Sequence, residues 1–505
     1  MKVPNSKALR IVEKRREFLP LPLGGRGEGR GEGASQLRSE ACHRSFTRKQ
    51  IFRPVFLLLA SHLLAAGVAS GQGTLHILRT NGPNANRLNL VFLSEGYTNG
   101  QTGKFTNDAR NVLQQILLTQ PYREYTNYLN AFAIFVASAE AGSDHPASNQ
   151  FRNTYFNSTY DSYGIARLLT IPPNDYDGNY ANGYGKVYAL LAALRPDYDI
   201  PLLLVNDTVY GGSGGDVPTA STHASSAEIA IHEIGHSFAN LGDEYSAAFP
   251  GFPDIEEPNT TRQTNRAQIK WNAWILPTTP VPTPDTSTYN TVVGLFEGAH
   301  YHTNGWFRPR RDCKMRTLFV PFCQVCSETL VTSIYGRLDP IDSVSPPTNA
   351  LVALTNALPV TLSVARQQPS THALSVQWSV NGVPRADATN DTLTLAAWDL
   401  PAGTNTVRAD ITDATTLVRN DPQQLLRESR SWRVRSALVP PALAIRRTND
   451  QVALTWSPWA AGFLLQSRTD LQPGTQWTTV TVISNQPGAD FAATNGARYF
   501  RLMQP

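Results

Sequence analysis

The sequence predicts a multidomain protein in which an α/β (α+β) front domain precedes two small all-β sandwich domains. The chain has 505 residues, of which 41% are hydrophobic and 17% charged, and this length is enough for two to four folded domains. From residue 88 onward, patterns of buried strands alternate with patterns of amphipathic helices. The segment 337–348, rich in Pro, Asp and Ser, indicates a linker, and period-two alternation follows it.

The first 70 residues are typical of targeting rather than of a fold. A basic stretch precedes an apolar run at 55–68, and small residues suited to signal-peptidase cleavage end it. The run is short for a membrane span of about 20 residues, so we expect no stable membrane span after cleavage. We assign residues 1–47 to a disordered or mis-assigned N-terminal extension and residues 48–70 to a signal peptide. The protein is therefore expected to be secreted, or to lie in the cell envelope or periplasm.

The charge distribution argues against nucleic acid as a partner. The formal net charge is +4, but the first 70 residues carry 13 Lys+Arg against 5 Asp+Glu. The remainder carries 31 basic and 35 acidic residues, a net charge of −4. A chain without a basic excess beyond its leader is not expected to bind nucleic acid.

The front domain, residues 71–336, shows the alternation of strands and helices most clearly. Apolar runs at 88–93, 131–136 and 201–206 predict buried strands. Between the first two runs, four apolar residues recur at helical spacing: Phe105, Ala109, Val112 and Ile116. This order predicts a β-sheet with helices packed against it.

Two loops are expected to border a cleft in this domain. The glycine-rich loop at 211–215 lacks the Gly-Lys-Ser/Thr of a phosphate-binding loop, which argues against nucleotide binding. We expect it to form a cleft rim where an extended peptide adds to a sheet edge. The segment 246–296 has many Pro and Thr residues and is predicted to be a long loop near the same cleft.

The most specific chemical pattern is His-Glu-Ile-Gly-His at 232–236, a His-Glu-x-x-His (HExxH) motif. Positions four apart lie on one helical face, so His232 and His236 can bind a single Zn2+ through neutral imidazole nitrogens. Glu233 would project beside the metal and act as the catalytic general base toward water. With 10 His and 40 Asp+Glu in the chain, chance gives only about 0.016 His-acid-x-x-His matches.

The flanks of the motif predict the helix that carries it. Ser225 and Glu228 have the spacing of a capping box, and Gly242 is the predicted C-terminal stop. Between them, an apolar stripe consists of Ala227, Ile231, Ile234, Phe238 and Leu241. A surface helix with two solvated histidines would be less apolar than this one.

A catalytic zinc usually holds three protein ligands, so one more is required. Asp243 and Glu244 directly follow the turn at Gly242, which would bring one of them back toward the histidines. We favour Asp243 as the third ligand, with Glu244 orienting an imidazole N–H. The spacing leaves the reverse assignment open, with Glu244 as the alternative third ligand.

Beyond the leader the chain has three cysteines, Cys313, Cys323 and Cys326. A disulfide from Cys313 to Cys323 or to Cys326 would stiffen this segment. A three-thiol metal site and a redox Cys-x-x-Cys are the alternatives, although the sequence reveals neither a fourth ligand nor a thioredoxin-like context.

The run at 232–245 resembles the signature of the M64 peptidases, which are zinc metalloendopeptidases of the IgA-peptidase type. The stretches 88–98, 298–309 and 313–326 resemble the same family, so the resemblance covers the front domain only. It implies a metzincin-like zinc peptidase domain over residues 71–336, with Zn2+ as the cofactor and a protein or peptide as the substrate.

Metzincins also have a methionine-containing turn beneath the zinc, and by this resemblance Met315 is the Met-turn residue. The chain departs from the metzincin pattern at two positions: Ala239 stands where metzincins have a glycine, and Asp243 falls one residue after their third ligand. No tyrosine directly follows Met315, so Tyr245 and Tyr301 are the candidates for stabilising an oxyanion.

The remainder of the chain predicts two β-sandwiches. Within 345–436, alternating apolar residues at 374–380 precede an Asn-Gly turn and resemble an immunoglobulin-like module without its disulfide. Residues 440–505 are similar to a fibronectin type III-like module, with a final strand at 499–502. Such modules serve exported enzymes as spacers or adhesion units.

Two classes of function follow from these patterns. The first is an exported zinc metalloendopeptidase that hydrolyses peptide bonds with Glu233 as general base and acid. The second is an inactive peptidase-like surface protein that binds protein or carbohydrate through its β-domains. Because His232, Glu233 and His236 are all present, the sequence favours the first class.

Overall fold

The computed structural model describes residues 73–503, except 250, 356–357, 438–440, 482–486 and 494–495. The predicted extension at 1–47 and the predicted signal peptide at 48–70 lie outside the described residues. The described chain contains helices together with several separate sheets, in agreement with a multidomain α+β protein. Within the described part, no helix is both long enough and apolar enough to cross a membrane.

A six-stranded mixed sheet forms the centre of the front part. Its strands are β1 (Thr74–Arg79), β2 (Leu88–Glu95), β3 (Leu129–Phe135), β4 (Ile200–Val205), β5 (Gly212–Ser213) and β6 (Thr219–Ser221). Their spatial order is β1-β3-β2-β4-β6-β5. The inner strands β3, β2, β4 and β6 run parallel, whereas β1 and β5 are antiparallel edge strands. The three predicted strands are confirmed as β2, β3 and β4.

Helices cover both faces of this sheet. They are α1 (Thr102–Leu118), α2 (Tyr184–Leu194), α3 (Ser226–Ala239) and α4 (Gln324–Tyr335). Alternate residues of β2 face opposite sides, so Leu90 and Phe92 share a core with α1, α3 and α4. Val91 and Leu93 share a second core with α2. A strand buried on both faces must be apolar throughout, which explains the continuous apolar run at 88–93.

A long connection separates α3 from α4. Among the described residues of 240–295, the only helical elements are short 3-10 turns, in agreement with the predicted long loop. A hairpin of β7 (Phe296–Ala299) and β8 (His302–Arg308) follows. The hairpin turns at His300 and Tyr301, both with positive φ. This turn places the segment 298–309 against the loop that follows α3. The His300 N–H donates to the Asp243 carbonyl, and the Tyr301 N–H donates to the Tyr245 carbonyl.

Two further sheets share one apolar core after α4. Their strands are β9 (Ile341–Ser345), β10 (Leu351–Thr355), β11 (Val360–Arg366), β12 (Ser375–Val380), β13 (Val383–Pro384), β14 (Thr392–Leu395), β15 (Gly403–Thr412) and β16 (Arg427–Ala437). The orders are β10-β16-β15-β12-β13 and β14-β11-β9. Stacked indoles of Trp378 and Trp432, with centroids 5.3 Å apart, lie in this core.

Strand β9 lies inside the segment 337–348, whose composition predicts a linker. Ile341 and Val344 pair with β11, and Ile341 is buried in the core of the two sheets. The strand has only five residues and few apolar positions, so its alternation pattern is weak in the sequence. The surrounding Pro and Asp residues indicate a linker instead.

The last strands form two three-stranded sheets around a small core. They are β17 (Leu443–Thr448), β18 (Gln451–Trp456), β19 (Leu464–Arg468), β20 (Thr478–Thr479), β21 (Gly488–Ala492) and β22 (Tyr499–Met503). The orders are β17-β18-β21 and β20-β19-β22. Leu454, Trp456, Ala460 and Leu465 form the buried core.

A buried carboxylate links the front part to the sheets that follow it. Asp413 accepts hydrogen bonds from the hydroxyls of Tyr125 and Tyr335, at 2.9 and 2.6 Å. His372 Nε2 lies 2.7 Å from the other carboxylate oxygen of Asp413. Three aromatic side chains from both sides thus converge on a single acidic residue.

Candidate metal and active site

Helix α3 presents the His-Glu-x-x-His motif in the interior of the front part. It begins at Ser226 after an N-cap at Ser225, but the Ser225 side chain accepts no capping hydrogen bond. The predicted capping box is therefore wrong. Glu228 instead accepts hydrogen bonds from Lys314 Nζ and, at 2.7 Å, from the backbone N–H of Phe319. Glu228 thus pairs with Lys314, which is distant in sequence, and does not form a capping box with Ser225.

The helix ends before the glycine that the sequence suggests as its stop. Asn240 is the C-cap, in the left-handed region at φ 55°, and its N–H donates to the His236 carbonyl. Asparagine tolerates this conformation better than most residues, so it replaces glycine as the terminator. Gly242 has a different role, because a Cβ there would lie 2.5 Å from Glu257 Oε2.

Both motif histidines have their ring orientation fixed by backbone carbonyls. His232 Nδ1 lies 2.9 Å from the Lys314 carbonyl, and His236 Nδ1 lies 2.7 Å from the Leu241 carbonyl. A carbonyl only accepts, so each Nδ1 carries the donated proton. In the neutral imidazoles, each Nε2 therefore presents a lone pair, and the two Nε2 atoms lie 3.0 Å apart.

Asp243 joins this pair of nitrogens. Its Oδ1 lies 3.1 Å from His232 Nε2 and 3.4 Å from His236 Nε2. In a tetrahedral zinc site with bonds of about 2.0–2.1 Å, ligand atoms lie about 3.3 Å apart. The three separations match this spacing, and all three side chains are buried. The donor set fits a zinc ion with one open position.

The phenol of Tyr301 holds the second oxygen of Asp243. Tyr301 Oη donates to Asp243 Oδ2 at 2.6 Å, across 58 positions of sequence. Burial alone would raise the pKa of Asp243, but His236 and His232 hold it below its usual value. Burial acts against the protonated form of His236, yet Asp243 and Glu233 raise its pKa to about 9. The carboxylate of Asp243 and the imidazole of His236 thus favour each other's charged form.

Glu233 lies at the same site without joining the triad of close contacts. Its carboxylate is within 4.8 Å of the histidine ligand atoms, and 2% of the residue is exposed. Burial raises its pKa, while the neighbouring histidines act in the opposite direction. The glycine-rich loop covers it closely, because a Cβ on Gly214 would approach Glu233 Oε2 to 2.9 Å. A side chain at that position would crowd the carboxylate.

Glu244 points away from the histidines, toward the cysteines. Its Oε1 accepts from Asn259 Nδ2 at 2.9 Å and lies 3.6 Å from Cys326 Sγ. Its backbone N–H donates to the Met315 carbonyl at 2.9 Å. The structure thus brings Asp243, and not Glu244, to the histidine pair. Burial raises the pKa of Glu244 well above its usual value.

Met315 lies directly beneath the helix that carries the histidines. It is fully buried, and a Cβ built on Gly235 would lie 2.9 Å from its Sδ. The glycine between the two histidines therefore allows the close approach of the thioether. Met315 thus packs against the turn of α3 that lies between the two histidines.

The three cysteines are buried free thiols rather than the predicted disulfide. Cys313 Sγ lies 3.6 Å from Cys326 Sγ, far beyond the S–S bond length of about 2.05 Å. Together with Glu244, they form a group of four ligand atoms, all within 4.8 Å of one another.

Two contacts at this site were missed by sequence reasoning. The carbonyl of Lys314 orients His232, although nothing in the sequence marks a main-chain acceptor 82 positions away. The sequence makes Tyr301 a candidate for stabilising an oxyanion, but its hydroxyl donates a hydrogen bond to Asp243. Tyr245 remains beside the motif, with its ring 6.2 Å from that of His232.

A helix-borne His-Glu-x-x-His group beside a mixed sheet is typical of a metal-dependent hydrolase. The family model described as IgA Peptidase M64 matches residues 77–292 and 285–334, about half of the chain. The chain belongs to the M64 peptidase family. Membership implies a peptidase whose substrate is a protein or peptide.

No curated protein matches the chain. A structure of a chaperone-tip adhesin complex in CFA/I fimbriae biogenesis is 11% identical, with 32% of this chain and 98% of that chain covered and a TM-score of 0.13. The chicken CNTN1 FN1–FN3 domains are 9% identical over 33% of this chain and 65% of that chain, also with a TM-score of 0.13.

Proposed function

We propose that the protein is an exported zinc-dependent metalloendopeptidase whose metal ligands are His232, His236 and Asp243. The observation that carries this proposal is the convergence of two Nε2 atoms and one Oδ1 atom at mutual distances of 3.0, 3.1 and 3.4 Å. Zinc bound there would supply Lewis acidity, polarising a peptide carbonyl and lowering the pKa of water.

Glu233 is the residue proposed to move the proton. Its carboxylate would accept a proton from the water that attacks the carbonyl carbon, and would later donate it to the leaving amine nitrogen. The raised pKa that burial gives Glu233 suits a group that must hold this proton between the two steps.

The residues around the ligands hold them in position. The carbonyls of Lys314 and Leu241 fix the histidine tautomers, and Tyr301 fixes the second oxygen of Asp243. Tyr245 is the remaining candidate for hydrogen bonding to an oxyanion, because Tyr301 already donates to Asp243. The Gly-rich loop beside Glu233 would form the rim of the substrate cleft.

We also propose domain boundaries, a role for Met315 and export of the protein. The front part would be a metzincin-like domain over residues 71–336, with Met315 as its Met-turn residue. The segments 345–436 and 440–505 would be immunoglobulin-like and fibronectin type III-like modules, supported by paired sheets around separate cores. Export is supported by the basic stretch and apolar run before residue 70.

The alternative is an inactive peptidase-like protein that binds protein or carbohydrate through its β-modules. Peptide-library cleavage by the purified protein separates the two proposals. The peptidase should cleave with zinc, stop when the metal is chelated and recover when zinc is restored. A fully zinc-loaded protein that cleaves no peptide would favour the binding protein.

A further inference from the structure

We propose that the chain holds a second, structural zinc ion through Cys313, Cys323, Cys326 and Glu244. The four ligand atoms lie within 4.8 Å of one another, and all four residues are buried. The sequence supplies the three thiols, and the fold supplies the fourth ligand, which comes from 69 or more positions earlier in the chain. Thiolates with one carboxylate are ligand types that zinc accepts in tetrahedral sites.

Two separations between the ligand atoms match a tetrahedral site. With zinc–sulfur bonds of about 2.3 Å, two sulfur ligands lie about 3.8 Å apart, and with a zinc–oxygen bond of about 2.0 Å, sulfur and oxygen ligands lie about 3.5 Å apart. Cys313 Sγ and Cys326 Sγ are 3.6 Å apart, and Cys326 Sγ is 3.6 Å from Glu244 Oε1. The distance between the sulfurs of Cys313 and Cys326 is too long for a disulfide.

Backbone N–H groups point at the sulfurs, as they do around metal-bound thiolates. The N–H of Cys323 donates to Cys313 Sγ at 3.2 Å, and the N–H of Cys326 donates to Cys323 Sγ at 3.5 Å. Cys323 is also the N-cap of α4, where the helix dipole favours negative charge. Cys-x-x-Cys at a helix start thus places two sulfurs on one side of the site.

Glu244 provides an independent sign that a cation belongs here. Its Oε2 is buried and has no hydrogen-bond partner among the described residues. A carboxylate oxygen left unpaired in the interior is costly, and buried charges in proteins are usually paired or bind metals. A zinc ion beside the three sulfurs would satisfy this oxygen or its neighbour Oε1.

The proposed ion would lie next to the proposed catalytic zinc site, with the adjacent residues Asp243 and Glu244 between the two ions. Asp243 faces the histidines and Glu244 faces the thiols, so adjacent residues would bind different metals. Cys313 also precedes Lys314, whose carbonyl orients His232, and Met315, which packs under α3. The second zinc would therefore position the floor of the first site.

Cobalt reports on this site without any measurement of activity. Metal-free protein is loaded with Co2+ alone, and thiolate ligation is read from the sulfur-to-cobalt charge-transfer absorption in the near ultraviolet. We expect two cobalt ions per chain and strong absorption. The double variant His232→Ala/His236→Ala should keep the absorption with one cobalt per chain, because the histidine site has no sulfur ligand. The absorption arises at the thiols alone and does not depend on the proposed peptidase function, whereas the count of two ions rests on the proposed histidine site.

Variants of the ligands complete the test. Cys323→Ser should lose the charge-transfer absorption. Glu244→Gln keeps all three thiols and a side chain of nearly the same shape. It therefore tests the site even if a Cys variant fails to fold. It should weaken cobalt binding by more than about 100-fold, the upper end of the effect of a carboxylate that only supports a ligand. Folded wild-type protein without sulfur-to-cobalt absorption would overturn the proposal and leave three protonated, hydrogen-bonded thiols.

Discussion

The Nδ1 atom of His232 lies 2.9 Å from the backbone carbonyl oxygen of Lys314, 82 positions further along the chain. This hydrogen bond ties the first proposed zinc ligand to the segment that also carries Cys313 and Met315. The orientation of the His232 imidazole thus depends on the position of this segment.

Each motif histidine should be required for metal at the first site. His232→Ala and His236→Ala should each remove about one zinc per chain, because a site with two remaining ligands binds zinc weakly. Elemental analysis of the purified variants measures this loss. His76→Ala, on edge strand β1, is the matched control and should keep the wild-type content. Unchanged zinc in both motif variants would refute the ligand assignment.

Glu233→Gln should separate metal binding from catalysis. The amide keeps the size of the side chain but cannot accept a proton from water, so peptide hydrolysis should fall by about 10²- to 10⁴-fold. Zinc content should stay at the wild-type level, since Glu233 is not proposed as a ligand. Hydrolysis at the wild-type rate would show that another group carries the proton.

Asp243 and Glu244 should affect different metals. Asp243→Ala should abolish tight zinc binding at the histidine site, whereas Glu244→Ala should act mainly on the thiol site. The activity recovered at buffered free zinc concentrations measures the affinity of the first site in each variant. If Glu244→Ala weakens this affinity more than Asp243→Ala, the roles of the two acids must be exchanged.

The two tyrosines should give different kinetic signatures. Tyr301→Phe removes the hydrogen bond to Asp243 Oδ2, so zinc affinity or activity should fall by about 10- to 100-fold. Tyr245→Phe should lower kcat and leave zinc affinity unchanged, as expected for a donor that acts only on the oxyanion. Reduced zinc affinity in Tyr245→Phe, with normal affinity in Tyr301→Phe, would reverse these roles.

Asp413 should stabilise the junction between the front part and the following sheets. Asp413→Asn replaces a charged acceptor of two tyrosine hydroxyls and a histidine contact, and should destabilise the fold by about 2–4 kcal/mol. Thermal unfolding measures the effect. Asp410→Asn, on the exposed side of β15, is the control and should change stability little. Equal melting temperatures for the two variants would show that the junction does not depend on Asp413.

Local sequence patterns predicted the parts of the fold that short-range physics determines. The helix of His232 and His236 follows from its apolar stripe, and the strand at 88–93 follows from a continuous apolar run. The helix stop was misplaced because Gly242 is the stronger C-cap residue by propensity, whereas Asn240 adopts the left-handed conformation. Position 242 requires glycine for a different reason, because the Glu257 side chain packs too closely for a Cβ.

The parts that remained unpredicted depend on contacts distant in sequence. The sequence left Asp243 and Glu244 interchangeable, since both follow the same turn. Their directions differ because Tyr301 holds one and the cluster around Cys326 faces the other. The thiols had no visible fourth ligand for the same reason: chain folding, rather than spacing, brings Glu244 to them.

Cleavage of a peptide library under controlled metal content tests the central proposal most directly. Zinc-loaded wild-type protein should cleave defined peptides, lose this activity when the metal is chelated and regain it when zinc is restored. Zinc-loaded Glu233→Gln protein, prepared and assayed in parallel, should be nearly inactive. Cleavage that persists in the chelated protein or in the zinc-loaded Glu233→Gln variant would contradict a zinc peptidase that uses Glu233 as its base.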